Sequence, residues 1–362
     1  MGIESGMGLS EAIKEKAVAL GFDLVGFAPA QGARHAAEFR EWLAAGHHAD
    51  MDWIARDIDR RLDPRGWRPE TRAMIVVGVS YFMQNPSPRL WNDPMRGRIA
   101  RYAWGRDYHK VIGKRLKLLK AFIETEGPAG VQVQPFNDAR PVLEHDAALA
   151  AGLGFIGRNT LLIHPDYGSM MFLGGLLVSC ELEYDAPTPG RGERFGANAD
   201  CGSCRRCLNA CPTHAFPAEY ILNSRLCISY QTIENRGEIP ESLRPKMGNW
   251  IFGCDVCQEV CPWVKRYSRA GREPWLDPDP DRMAPRLEEL ARLDEDGFLT
   301  RFAGTPIMRT KRSGLLRNVA VALGNSGSPE AVEPLTWLAK DPDPRISGHA
   351  HWGLSRIRES AG

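Results

Sequence analysis

The chain has 362 residues, 43% of them hydrophobic and 25% charged, with a formal net charge of +1 at pH 7. It is long enough for two domains of ordinary size and a sizeable core, and its charge balance excludes whole-molecule attraction to polyanions, so any nucleic-acid surface has to be local. The longest apolar run, near residues 169–179, is far short of the ~20 residues of a spanning helix, and the opening residues carry neither the apolar core of a signal peptide nor a twin arginine; a cytoplasmic protein without a membrane partner is expected.

In chain order, residues 10–21 predict a helix capped by Ser10 and ended near Gly21, and residues 23–28 a strand. Residues 73–82 (AMIVVGVSYF) are almost uninterruptedly apolar, as expected of a central strand buried on both faces. Residues 108–126 space apolar side chains three and four apart beneath a basic face, which reads as a surface helix. Residues 131–136 alternate like a strand, 141–151 read as a helix with Pro141 at its start, and 169–183 as one or two strands, where Cys180 is a small buried hydrophobe. The Gly- and Pro-rich loop 187–199 leads into the cysteines, and the acidic, proline-rich 275–296 reads as a linker plus a solvated helix. Near the end, 317–327 and 348–357 align at a period of thirty-one, Val319 over Ala350 and Leu323 over Leu354. That is how a short HEAT-type helical repeat looks, and two such units must dock on the main body to bury a core.

Nine cysteines in a large chain of a reducing compartment point to metal ligands rather than disulfides. Residues 201–212 read CGSCRRCLNACP, and a partial copy, CDVCQEVCP, occupies 254–262. Three cysteines two apart, then one three further on and a proline, is the spacing that holds a [4Fe–4S] cubane, the fourth thiolate turning to the neighbouring cluster. Crossed ligation assigns Cys201, Cys204, Cys207 and Cys261 to one cluster, and Cys211, Cys254 and Cys257 to the other. Cys227 is the remaining candidate for the open ligand; a buried structural thiol is its alternative. Structural zinc also uses CxxC pairs, but the doubled motif favours iron–sulfur. Two such clusters pass single electrons, so the chemistry is redox and the donor is expected to be a small reduced protein.

The segments RLDPRGWRPE (61–70), RYAWGRDYHKVIGKRL (101–116) and NDARPVLEHDAALAAGLGFIGRNTLLIHPDYGS (137–169), followed by both cysteine motifs and the repeat, resemble the epoxyqueuosine reductase family over about residues 10–358. The resemblance implies three parts: an N-terminal α/β cobalamin-binding domain (1–190), a ferredoxin-like domain with two [4Fe–4S] clusters (191–275) and a HEAT-like tRNA-binding domain (276–362), an α/β and α+β architecture overall. It implies loss of the epoxide oxygen of epoxyqueuosine at the wobble position of tRNAs with GUN anticodons, consuming two electrons and two protons through the clusters and a base-off cobalamin. It also implies that Asp138 is the proton donor. Opening an epoxide leaves an alkoxide, so a carboxylic acid with a raised pKa is expected there; a helix-capping aspartate ahead of Pro141 is the competing reading. Arg140 departs mildly from the smaller residues expected before that proline.

Arg61 and Arg101 fall where the family places residues near the corrin, and Tyr108 and His109 are further pocket candidates. In the loop 152–163, Gly154, Gly157 and Asn159 are candidate cofactor contacts, since glycines let backbone approach a ligand. No DxHxxG motif is present, which fits a base-off cobalamin without a histidine ligand. For the tRNA, residues 301–318 carry five basic side chains and no acidic one, and 265–272 carry four more. Lys265, Arg266, Arg309, Lys311 and Arg312 are the candidate contacts to an anticodon loop, which splays out a base at little cost. A monomer is expected. A reductive dehalogenase, which lacks a basic helical tail, and a plain electron-transfer protein are the alternative functions.

Overall fold

The computed structural model describes residues 8–361 apart from 85, 139, 186–199, 272, 277 and 278, so the expected loop at 187–199 and the boundary at 190/191 lie outside the described residues. A four-stranded sheet, in the order Leu24–Pro29, Ala73–Ser80, Met171–Val178, Val133–Phe136, is the frame of the N-terminal part. All three pairings are antiparallel. The sheet is therefore of α+β type, not the parallel sheet that a strand buried on both faces ordinarily signals. Both faces are covered all the same. Ile75 and Val77 pack with Ile13 and Ala17 of the helix Leu9–Ala19 and with Ile112, Leu116, Leu119 and Ile123 of the helix Tyr108–Glu126. Met74 and Val76 face Val142, Ala147 and Ala148 on the other side. That two-sided cover is why every residue of Ala73–Ser80 is buried, each large apolar side chain contributing about 1.5–3 kcal/mol.

Several expectations are corrected at element ends. Gly8, not Ser10, is the N-cap of the first helix; the Ser10 hydroxyl instead accepts the Glu183 amide at 2.9 Å, tying the helix to the end of the domain. The helix expected from Pro141 is the shorter Glu144–Ala150, with Leu143 at its N-cap, so Asp138 caps nothing. One strand, Met171–Val178, ends before Cys180, which is only half-buried.

The remaining elements form a second core. The strand Arg98–Ile99 pairs in parallel with Trp250–Phe252, far away in the chain. Ile99, Trp104 and Phe252 pack with Leu315, Val319 and Leu323 of the helix Lys311–Asn325 and with Ala350 of Pro344–Ala361. The residues aligned by the sequence repeat thus share one interface: a Cβ on Gly324 would lie 2.6 Å from Gly353 Cα, so only glycine permits this crossing. The segment read as a linker with a solvated helix is part of the same core, because Leu287 and Leu290 of Leu287–Ala291 are fully buried in it. Asn318 pins the last part to the cysteine region, its amide donating to the carbonyls of Thr232 and Ile251 at 2.9 and 2.8 Å. Among the described residues no helix is long and apolar enough to cross a membrane.

Candidate active site and iron-sulfur centres

The eight clustered thiols fall into two groups. Cys207 is pushed up to about 11 by burial and then by the charges of Cys201 and Cys261, and Cys261 in turn is raised by burial and by Cys201 and Cys204. Cys257 is raised by burial and by Cys227 and Cys211, and Cys254 by burial, Cys257 and Cys227. Cys207 and Cys261 are thus influenced chiefly by thiols of the set Cys201, Cys204, Cys207 and Cys261, and Cys254 and Cys257 chiefly by those of the set Cys211, Cys227, Cys254 and Cys257. Cys207 also acts on Cys257, so the sets are neighbours. The Ala215 amide donates to Cys211 Sγ at 3.3 Å, the kind of bond that steadies a cluster thiolate.

Two arginines brace these loops. Arg158 donates to the carbonyls of Gly202 and Cys204 at 2.6 and 2.8 Å, joining the loop that carries Asn159 to the first motif. Arg101, expected at a cofactor edge, is turned inward: it is 1% exposed and its guanidinium lies 3.0 Å from Asp255 and 2.7 Å from Glu259, within the second motif. It holds the cluster loop through both carboxylates.

The other candidates meet around Asp138. Asp107 caps the helix Tyr108–Glu126, accepting the His109 amide at 3.1 Å and contacting His109 Nδ1 at 2.7 Å, so one residue both starts the helix and orients the imidazole. His109 Nε2 then lies 2.6 Å from Asp138 Oδ2, and Tyr108 donates its hydroxyl to the same oxygen at 2.8 Å. Asp138 itself sits at a left-handed φ of 46°, a conformation that Asp tolerates better than most residues. Glu144, which the sequence reading missed, accepts the Asp138 amide at 2.6 Å and closes the turn. Its only sequence signal is a second carboxylate six residues on, across Pro141.

The proton distribution corrects the expected raised acid. Burial pushes Asp138 up, but the hydrogen bonds from His109 and Tyr108 and the charges of His109 and Arg309 outweigh it and hold the carboxyl below its ordinary value. Burial opposes charge on His109, yet its two aspartate partners raise it to about 9. Glu144 is the raised acid: burial, then the Asp138 charge, takes it to about 8. Near neutrality the site therefore holds an aspartate, an imidazolium and a neutral glutamic acid.

Arg61 feels both Asp138 and Glu144, and its buried Nε has no hydrogen-bond partner. Asn159, 3% exposed, has neither amide atom partnered among the described residues. Buried polar atoms left without partners mark a place where a ligand with a hydrogen-bonding rim fits. The glycines of that loop are packed closely on protein. A Cβ on Gly154, at φ 144°, would lie 2.3 Å from the Ile163 carbonyl oxygen, and one on Gly157 would lie 2.5 Å from Ile163 Cδ1. Of the basic candidates, Lys265 and Arg266 are exposed on the helix Pro262–Tyr267 just after Cys261. Arg309 pairs with Glu234 and acts on Asp138. Lys311 is exposed, whereas Arg312 is held by Asp341 at 2.7 Å and by the Leu293 carbonyl. Arg272 lies outside the described residues.

Known proteins match this arrangement at every level. Residues 200–264 match the family described as 4Fe-4S double cluster binding domain, and residues 61–139 match Epoxyqueuosine reductase QueG, DUF1730. Epoxyqueuosine reductase of Escherichia coli (strain K12) is 37% identical over 96% of this chain and 89% of its own. A crystal structure of epoxyqueuosine reductase with a tRNA-Tyr epoxyqueuosine-modified stem loop superposes with a TM-score of 0.85 at 29% identity, covering 96% of this chain and 90% of that one. A Bacillus subtilis epoxyqueuosine reductase, whose structure has its catalytic aspartate loop swung out of the active site, gives the same TM-score, identity and coverage. The chain belongs to the epoxyqueuosine reductase family, iron–sulfur oxidoreductases that reduce epoxyqueuosine to queuosine.

Proposed function

We propose that the chain acts on epoxyqueuosine at position 34 of tRNAs with GUN anticodons, with Asp138 delivering the proton to the departing oxygen and cobalamin bound between the sheet domain and the cluster loops. The observation that carries this reading is the carboxylate of Asp138 held by His109 and Tyr108 on a left-handed turn. The catalytic aspartate loop of the Bacillus subtilis relative supports it, as does the tRNA stem loop bound to the other related structure. Two electrons and two protons convert the epoxide to an alkene and water.

When bound, cobalamin supplies a strongly reducing centre next to the epoxide, fed by the two clusters; Arg61 and Asn159 would hold its polar rim. The protein's own part is proton management. His109 Nε2, 2.6 Å from Asp138 Oδ2, passes its proton to the carboxyl as negative charge develops on the substrate oxygen, and the carboxyl passes it on. Tyr108 keeps the accepting oxygen in place, and neutral Glu144 holds the turn through the Asp138 amide. The exposed basic side chains Lys265, Arg266, Arg309 and Lys311 position the RNA, a HEAT-like C-terminal region carries part of that surface, and a small reduced protein feeds a monomeric, cytoplasmic enzyme.

The test is anaerobic turnover of epoxyqueuosine-containing tRNA by protein reconstituted with iron, sulfide and cobalamin. Conversion to queuosine that Asp138→Asn abolishes, with both cofactors still bound, is the expected result. Corrinoid binding without any conversion by the wild type would overturn the reading.

A further inference from the structure

Beside the Arg309–Glu234 pair the fold encloses a cavity of about 200 Å³ that the proton-transfer chemistry does not use. Arg236, Lys311, Arg317 and Arg345 line it together with Ser313 and Gly314. Arg317 is 1% exposed, and its guanidinium donates to the carbonyls of Gln231, Asn235 and Gly237 and to the amide oxygen of Asn318; among the described residues no carboxylate forms an ion pair with it, and the charge of Asp343 acts on it only weakly. Burial first, then the charges of Arg345 and Arg236, lower Arg317 to about 10. Arg345 is paired with Asp343 at 2.6 Å, and Asp343 also accepts the Ser313 hydroxyl. Arg236 and Lys311 are exposed and form no ion pair among the described residues. Four cations thus line one cavity. Like charges gathered so closely in a chain of net charge +1 are held against their own repulsion, and an anion in their midst relieves it.

The backbone adds to the same field. The fifteen-residue helix Lys311–Asn325 starts at the cavity with no acidic residue in its first turn. Thr310, at its N-cap, directs its hydroxyl to the carbonyls of Ile307 and Lys311 and caps no amide; the Lys311 amide is taken by the Met308 carbonyl, and the positive end of the helix dipole meets the cavity without a side-chain cap. Lys311 keeps a φ of 59° there, an unfavourable conformation for a lysine. The position is as telling as the charge. Lys311 follows two residues after Arg309, whose charge reaches Asp138, and Arg236 follows two after Glu234, so the cavity lies next to the pair that acts on Asp138.

We propose that this cavity is a phosphodiester pocket that grips the RNA backbone next to the nucleotide presented to Asp138. A tetrahedral oxyanion satisfies forked guanidinium donors and helix amides at once. The inference rests on the tRNA substrate proposed above and adds to it a built site with named donors.

The experiment measures binding of an anticodon stem-loop RNA to the reconstituted enzyme by fluorescence anisotropy across a potassium chloride series, for wild type, Arg236→Gln, Arg236→Lys and Lys311→Gln. Each glutamine variant should lower the slope of log affinity against log salt by about 0.7, the share of one phosphate contact on a single strand, and raise KM. Arg236→Lys should retain the slope. Inorganic phosphate should displace RNA from the wild type more effectively than chloride at equal ionic strength. Unchanged slopes in both glutamine variants would overturn the pocket. Phosphate competition combined with unaltered RNA affinity in Arg236→Gln would also overturn it, marking a site for a free anion. Turnover of epoxyqueuosine RNA by the wild type, run in parallel, reports separately on the enzymatic reading.

Discussion

Asp138 and Asp255 each face a cation, and they end on opposite sides of the ordinary carboxylate range. Asp255 is 1% exposed, accepts both the main-chain amide and the guanidinium of Arg101, and is still pushed up to about 6, because burial outweighs the arginine. Asp138 has a side chain 45% exposed, and its hydrogen bonds to His109 and Tyr108 outweigh what burial it has. An ion pair sealed from water is a structural brace, here fastening the segment around residue 101 to the second cysteine motif. A pair open to solvent keeps a proton that can move. The comparison separates residues that hold the cofactors from those that act on substrate.

The largest break in that comparison should come two residues from Asp255. Cys257→Ser removes a ligand of the second set, and we expect iron to fall from about eight to about four per chain with loss of turnover, read by iron analysis and electron paramagnetic resonance. Asp138→Asn should leave iron content unchanged and lower kcat by about 10²–10⁴, the range of a positioned proton donor; asparagine tolerates the left-handed backbone, so a folding defect is not expected. Asp255→Asn leaves Arg101 buried beside a neutral side chain, and denaturant unfolding should show a loss of up to about 3–5 kcal/mol. An unaltered unfolding midpoint would mean that the buried pair is no brace.

The pH dependence sharpens the contrast. His109 is raised in the folded state to about 9, so its contribution to stability is complete below its ordinary value of 6.5 and is lost as pH rises through 9. Glu144, raised from 4.5 to about 8, acts in the same direction: the folded state binds its proton more tightly, and stability falls as pH climbs from 4.5 to 8. Thermal melts of His109→Gln should flatten between pH 6.5 and 9, and those of Glu144→Gln between pH 4.5 and 8. The smallest effect belongs to Arg312→Gln. Its guanidinium is already held by Asp341 and a carbonyl, so the salt dependence of RNA binding should not change; a drop like that of Lys311→Gln would show that the ion pair opens on the RNA.

Much of the candidate site was legible because its signals are local. The cysteine spacing states the cluster geometry within a single turn of chain, and the apolar period of residues 108–126 marks the helix that orients Tyr108 and His109. Residues 73–80 announce a buried strand by composition alone. The acidic, proline-rich look of 275–296 misled, since its few apolar residues, Leu287 and Leu290, are enough to dock a short helix.

What the sequence alone determined is thus the chemistry carried by contiguous motifs: two sets of thiolates, one aspartate ahead of a proline, a basic C-terminal stretch. Tertiary structure decided which charges are available. Arg101 meets Asp255 across 154 residues, Arg309 meets Glu234 across 75, and Glu144 closes on Asp138 only because the turn at Pro141 brings them together. The antiparallel pairing of the sheet is equally a matter of distant partners. The physical reason is common to all of them: a side chain's burial, partner and protonation depend on what the rest of the chain places next to it, and residue spacing encodes only what lies within reach along the backbone.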